Sequence, residues 1–203
     1  MTDDMQSLRD DISYLKDLAQ DGRDGTASGG MILTAAGGCF GVVSIAQWSA
    51  LAHVGPLSMG MVSLLWMVAL ALFFLALFLT KRRQGQAGAG LRAGALSWQA
   101  VGYALCALFA ALAIASWRTQ SGLLINFSPC IVLALYGGAW SVAATVTRRR
   151  WLWLLAFGSF AGTLISAWLI GDVAQWLFYG IALFLLAFAP GLAFTLQSRG
   201  RCE

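Results

Sequence analysis

Few side chains in this sequence could do chemistry, and those that could stand at the ends of long apolar runs. Gln47, His53, Arg118, Asn126 and Asp172 are the candidates for binding a ligand, with Ser44, Ser128 and Gln175 beside them. His53, Arg118 and Asp172 fall in three separate joints between runs. If neighbouring runs pack, an imidazole, a guanidinium and a carboxylate can meet there, together with Asn126, the single asparagine of the chain. The plainer alternative is three solvated loop ends, since polar residues are the norm in loops.

Other chemistries lack their residues. An ionisable side chain inside a membrane is the default functional hypothesis, yet the apolar middles of the runs hold no Asp, Glu, Lys or Arg. Lys16 and Lys81 are the only lysines, so no Schiff base is expected within a membrane. One histidine cannot supply bis-histidine haem ligation, and no carboxylate stands near to complete a metal site. Cys39, Cys106, Cys130 and Cys202 show no CxxC spacing, and buried cysteines behave as small apolar residues. The glycines between Gly85 and Gly90 read as a flexible linker, because no P-loop or dinucleotide fingerprint surrounds them. No catalytic residue, metal or cofactor is therefore expected, and the chain reads as non-enzymatic.

The elements that must position these residues are membrane spans. Of 203 residues, 59% are apolar and only 11% charged, with a mean hydropathy of +0.74. Soluble domains carry about a quarter charged residues. A span needs roughly 20 apolar residues to cross ~30 Å of hydrocarbon. Six runs meet that length, at about 30–52, 57–80, 96–117, 123–147, 151–170 and 174–196. The basic residues sit in short clusters between runs, so they read as topology signals and no nucleic-acid partner is expected.

Orientation follows from those clusters. Lys81, Arg82, Arg83 and Arg92, then Arg148, Arg149 and Arg150, then Arg199 and Arg201 mark alternate joints and the C-terminal tail. The other joints hold only Arg118, with His53 and Asp172. This positive-inside pattern expects both termini in the cytoplasm. Tryptophans agree, with Trp48, Trp117, Trp168 and Trp176 at one interface and Trp98, Trp151 and Trp153 at the other.

Residues 1–28 differ in character from the six-span domain, 29–203. Met5, Leu8, Ile12 and Leu15 recur at helical spacing, the seam of an amphipathic helix that docks on the body, a partner or a second copy. Seven of the nine acidic residues precede residue 25, which leaves the first 24 residues at net −4. An acidic polar face binds anionic lipid poorly. Gly25, Gly29 and Gly30, with Ser28, make a hinge before the first span.

The odd runs share a pattern: Phe40-Gly41 with Ile45-Ala46 and Trp48, Phe109-Ala110 with Ile114-Ala115 and Trp117, Phe160-Ala161 with Ile165-Ser166 and Trp168. The spacing expects an internal repeat, although interfacial tryptophans occur without duplication. Small-residue pairs flank it: Gly37 and Gly41, Ala107 and Ala111, Gly158 and Gly162. Such pairs let helix backbones approach. The expected fold is all-α, with six transmembrane helices as three tandem αα-hairpins (about 30–80, 97–147 and 151–196) behind a cytoplasmic amphipathic helix. Pro190-Gly191 is the expected break in the sixth span.

The run from Asp11 to Ala19 resembles the opening helix of a six-span family of proteobacterial inner-membrane proteins. So does the stretch from Ala134 to Trp140, which leads into Arg148-Arg149-Arg150-Trp151. The resemblance implies a multi-pass protein of the bacterial inner membrane, and the family carries no established activity to transfer. In architecture the three hairpins are similar to short-repeat membrane proteins of the acid-resistance HdeD type. Two functions are expected from these features. One is a regulatory, sensing or scaffolding protein acting through residues 1–24 on a cytoplasmic partner or as a homo-oligomer. The other is a small oligomeric transporter or channel for a neutral or apolar solute, for which internal repetition is the motive.

Overall fold

Hydrocarbon offers a backbone no hydrogen-bonding partner, so an apolar run of spanning length has to close its own bonds as a helix. The computed structural model describes residues 30–83 and 92–199, and those residues are all-helical. Six helices are long and apolar enough to cross a membrane. The first is α1 (Gly30–Leu51), followed by α2 (Met59–Arg83) and α3 (Arg92–Thr119). The fourth span combines a short α4 (Leu123–Asn126) with α5 (Ser128–Thr147). Pro129 stands in the first turn of α5, where its missing N–H removes no helical bond. The fifth is α6 (Trp151–Trp168). The sixth runs through α7 (Ala174–Leu183), a π-helical turn (Phe184–Phe188) and α8 (Ala189–Arg199). The expected docking residues Met5, Leu8, Ile12 and Leu15 lie outside the described residues.

Lipid tails are as apolar as leucine, so close packing and hydrogen bonds must hold the helices together. Glycine provides the closest packing, between α1 and the sixth span. A Cβ on Gly191 would stand 2.7 Å from the Gly30 carbonyl oxygen, and one on Gly30 would stand 2.9 Å from that of Gly191. A Cβ on Gly37 would strike the backbone nitrogen of Phe188, and one on Gly180 would lie 2.7 Å from Ile45. Rising numbers on α1 meet falling numbers on the sixth span, so the two run antiparallel.

Helices α5 and α6 pack along their lengths. Leu152, Ala156, Ser159, Gly162 and Ser166 form the buried seam of α6, and Gly137 of α5 receives the ring of Phe160. From neighbour to neighbour the bundle reads α3, α5, α6, α7–α8, α1, α2. Among the described residues α2 and α3, the two ends of this series, share no extended packing. They are also the most exposed spans. The buried core collects Leu133, Trp140, Leu152, Tyr179 and Leu183 between α5, α6 and the sixth span.

The closest pairings, α5–α6 and α1 with the sixth span, cross the boundaries of the three hairpins expected from sequence. The recurring motif meets three surroundings. Phe40 stacks on Trp66 and tilts against Phe73 of α2. Phe160 lies on Gly137 of the preceding span, and Phe109 is exposed. Of the small pairs, Gly37 with Gly41 and Gly158 with Gly162 meet neighbouring helices. Ala107 and Ala111 are exposed.

Pro190 does not end the sixth span. Proline has no N–H for the carbonyl four residues earlier, and its ring crowds that carbonyl. Here the carbonyl is Leu186, in the π turn just before Pro190. The indole Nε1 of Trp140 donates to it at 3.0 Å. A tryptophan of α5 thus replaces the bond that proline removes.

Candidate functional site

The charged candidates remain apart. His53, Arg118 and Asp172 are all exposed, and no hydrogen bond or ion pair among the described residues joins any two of them. Two have local duties instead. His53 adopts φ 54° after α1, its N–H donating to the Ala50 carbonyl at 3.4 Å while Val54 donates to Ser49 at 3.0 Å. That is the paired bonding of a Schellman helix end, with histidine in the left-handed position usual for glycine. Asp172 accepts the Ala174 N–H at 2.8 Å through Oδ1, which fastens the start of α7 and places a negative charge at its positive end.

Gln47 and Asn126 instead take part in ties between helices. Gln47 Oε1 accepts from Trp66 Nε1 at 2.7 Å, tying α1 to α2. Asn126 takes part through its main chain, its carbonyl accepting from Gln175 Nε2 at 2.7 Å. Gln175 is 1% exposed and also reaches the Ser166 carbonyl and hydroxyl, each at 3.4 Å. This primary amide joins the joint before α5 to α6 and α7, where an unpaired polar group would cost several kcal/mol in lipid. Ser44 and Ser159 are satisfied within their own helices by carbonyls four residues back.

Between these polar ties lies an aromatic interior. On one side Trp151 meets Phe194, which stacks on Trp140, and Trp140 meets Trp98 edge-on at 4.9 Å. Trp98 then meets Tyr136 at 5.7 Å. On the other side Phe40, Trp66, Trp176 and Tyr179 follow one another at 6.1–6.3 Å. The two files end on Tyr136 and Tyr179, both in the same core cluster.

Tyr136, Trp176 and Tyr179 are 5–6% exposed, and their hydroxyl and indole N–H groups have no hydrogen-bond partner among the described residues. Among the described residues every fully enclosed side-chain N or O does have a partner. These three polar tips must therefore border accessible space, although the rings behind them are buried. The sequence pattern marked Trp176 only as an interfacial tryptophan and gave the two tyrosines no place in a site.

A second feature is an apolar groove of about 390 Å³ between α1 and α2, with Gly38, Cys39 and Val42 facing Leu65, Val68 and Leu72. Among the described residues no group of His, Cys, Asp or Glu is placed to hold a metal. No protein-family model, curated protein or solved structure matches the chain, so its function is read from this geometry.

Proposed function

We propose that the chain is a non-enzymatic membrane protein with a regulatory, sensing or scaffolding role exercised through residues 1–24. The observation behind this reading is the junction at Gly30. There the first span, continuous in sequence with the amphipathic segment, is locked backbone to backbone on Gly191. A displacement of α1 along its axis would drive Gly37 against Phe188 in the π turn. π turns inside α-helices occur frequently at functional sites. The helix that follows the amphipathic segment in sequence is thus closely packed on the irregular part of the sixth span, the contact a sensor or scaffold would use.

Leu8→Asp plus Leu15→Asp in the full chain tests the reading. Undocking would speed proteolysis at Arg9 and Lys16 and remove proteins retained in a native pull-down. Unaltered proteolysis, oligomeric state and retained partners would refute it. The second reading, a small transporter or channel for a neutral or apolar solute, is favoured by the three accessible polar tips in a chargeless interior. Uptake of an uncharged solute by proteoliposomes that exceeds protein-free liposomes would support that reading instead. The inner bacterial membrane, with both termini in the cytoplasm, is the setting proposed for either role, on the distribution of basic residues.

A further inference from the structure

We infer that Tyr136, Trp176 and Tyr179 form the floor of an intramembrane binding site for an uncharged, lipid-soluble ring compound bearing carbonyl oxygens. Tyr136 stands eight residues into α5 and Tyr179 five into α7. At 1.5 Å per residue these positions are about 12 and 7–8 Å below the helix starts. Both residues thus stand within the spans, below the helix starts. Tyr136, Trp176 and Tyr179 belong to one buried cluster, and the Trp176 and Tyr179 rings meet edge-on at 6.3 Å. Trp98 of α3 flanks Tyr136, and Trp66 of α2 flanks Trp176. Those two helices share no extended packing among the described residues, which leaves the membrane as the route of approach.

The ligand class follows from the lining. Aromatic walls favour a flat ring, by stacked or edge-on contact. An indole N–H only donates, while phenol hydroxyls donate or accept. A ligand must therefore bring acceptors, and a carbonyl does so without carrying charge. No ionised side chain lies in the apolar middle of any span, so an ionic ligand would enter without a counter-charge. This inference is independent of what residues 1–24 do.

The test uses the full chain in lipid nanodiscs, with protein-free nanodiscs as the blank for partitioning. The probes are a ring-dimethylated naphthoquinone, blocked against cysteine addition, and dimethylnaphthalene, which has the same rings and no carbonyl. Saturable binding of the quinone, tighter than the hydrocarbon, is expected. Tyr136→Phe and Tyr179→Phe should each weaken quinone binding roughly 2- to 10-fold, as for loss of one hydrogen bond. Neither should change hydrocarbon binding or lower thermal stability, because the hydroxyls have no partner among the described residues. Equal binding of both probes, an unchanged preference in the double variant, or tighter binding of tetraphenylphosphonium would overturn the assignment. So would destabilisation by the phenylalanine substitutions, which would make the hydroxyls structural.

Discussion

If Trp140 donates to the Leu186 carbonyl because Pro190 cannot, the two residues must be energetically coupled, and a double-mutant cycle measures the coupling. Trp140 is 1% exposed and its Nε1 lies 3.0 Å from that carbonyl. Trp140→Phe removes the donor and some packing. Leaving a buried carbonyl unpaired costs about 1–3 kcal/mol, and the smaller ring adds a cavity cost. In a Pro190→Ala background the new alanine brings an N–H four residues beyond Leu186, so the same carbonyl keeps a partner after tryptophan is lost. The cavity cost is shared by both backgrounds and cancels. What remains is a coupling of about 1 kcal/mol, within the range for contacting residues. Reversible unfolding in mixed micelles of mild detergent and dodecyl sulfate, followed by circular dichroism, gives the four stabilities. A coupling below about 0.3 kcal/mol, the scatter of independent sites, would refute the substitution of one bond for the other.

Adjacent glycines of α1 should respond in opposite ways to alanine in the same unfolding assay. Gly37→Ala presses on the Phe188 backbone and should cost about 1–3 kcal/mol, whereas a Cβ on Gly38 meets only the Phe188 ring at 3.4 Å and should be neutral or stabilising. His53→Gly relieves a left-handed non-glycine residue at φ 54° and should raise stability by up to about 1 kcal/mol; a loss would show that the imidazole has a packing role. Reporter fusions should find Arg201 cytoplasmic and Gly55 external, and opposite labelling at either site would overturn the positive-inside argument.

The spans were legible because length and hydropathy meet a single physical requirement, a backbone that satisfies itself across the membrane. Pro129 was legible for a similar reason, since a first-turn proline is a local matter. Pro190 was only half legible. Its irregularity is visible in sequence, but the donor that keeps the helix intact sits on another span, and no local rule points to Trp140. Spacing likewise identified Gly37 with Gly41 and Ala107 with Ala111 as equal candidates for close packing. Only the arrangement of neighbours decides that the first pair meets the sixth span while the second is exposed. The candidate site divides the same way. Gln47 and Asn126 do stand at interhelical ties, whereas His53 and Asp172 belong to helix ends and Arg118 is exposed. Charge drew attention to the loops, whereas Tyr136, Trp140, Trp176 and Tyr179 bring polar groups to the interior on residues counted as apolar.

That exchange of roles follows from the solvent. A charge in hydrocarbon needs a counter-charge and further hydrogen bonds, whereas an indole or phenol brings one polar atom on a body that packs like any apolar ring. In a span without ionised groups, aromatic residues are the economical source of directed polarity. The protein uses them in two ways. Trp66 and Trp140 spend their N–H groups on Gln47 and Leu186, and each bond ties two spans. Trp176, Tyr136 and Tyr179, all buried, have no such partner among the described residues. If burial of rings were their whole purpose, phenylalanine would serve at both tyrosine positions without an unpaired hydroxyl in the membrane. The difference between tips that hold the bundle and tips without a partner among the described residues is the ground on which the second group is proposed as a binding surface.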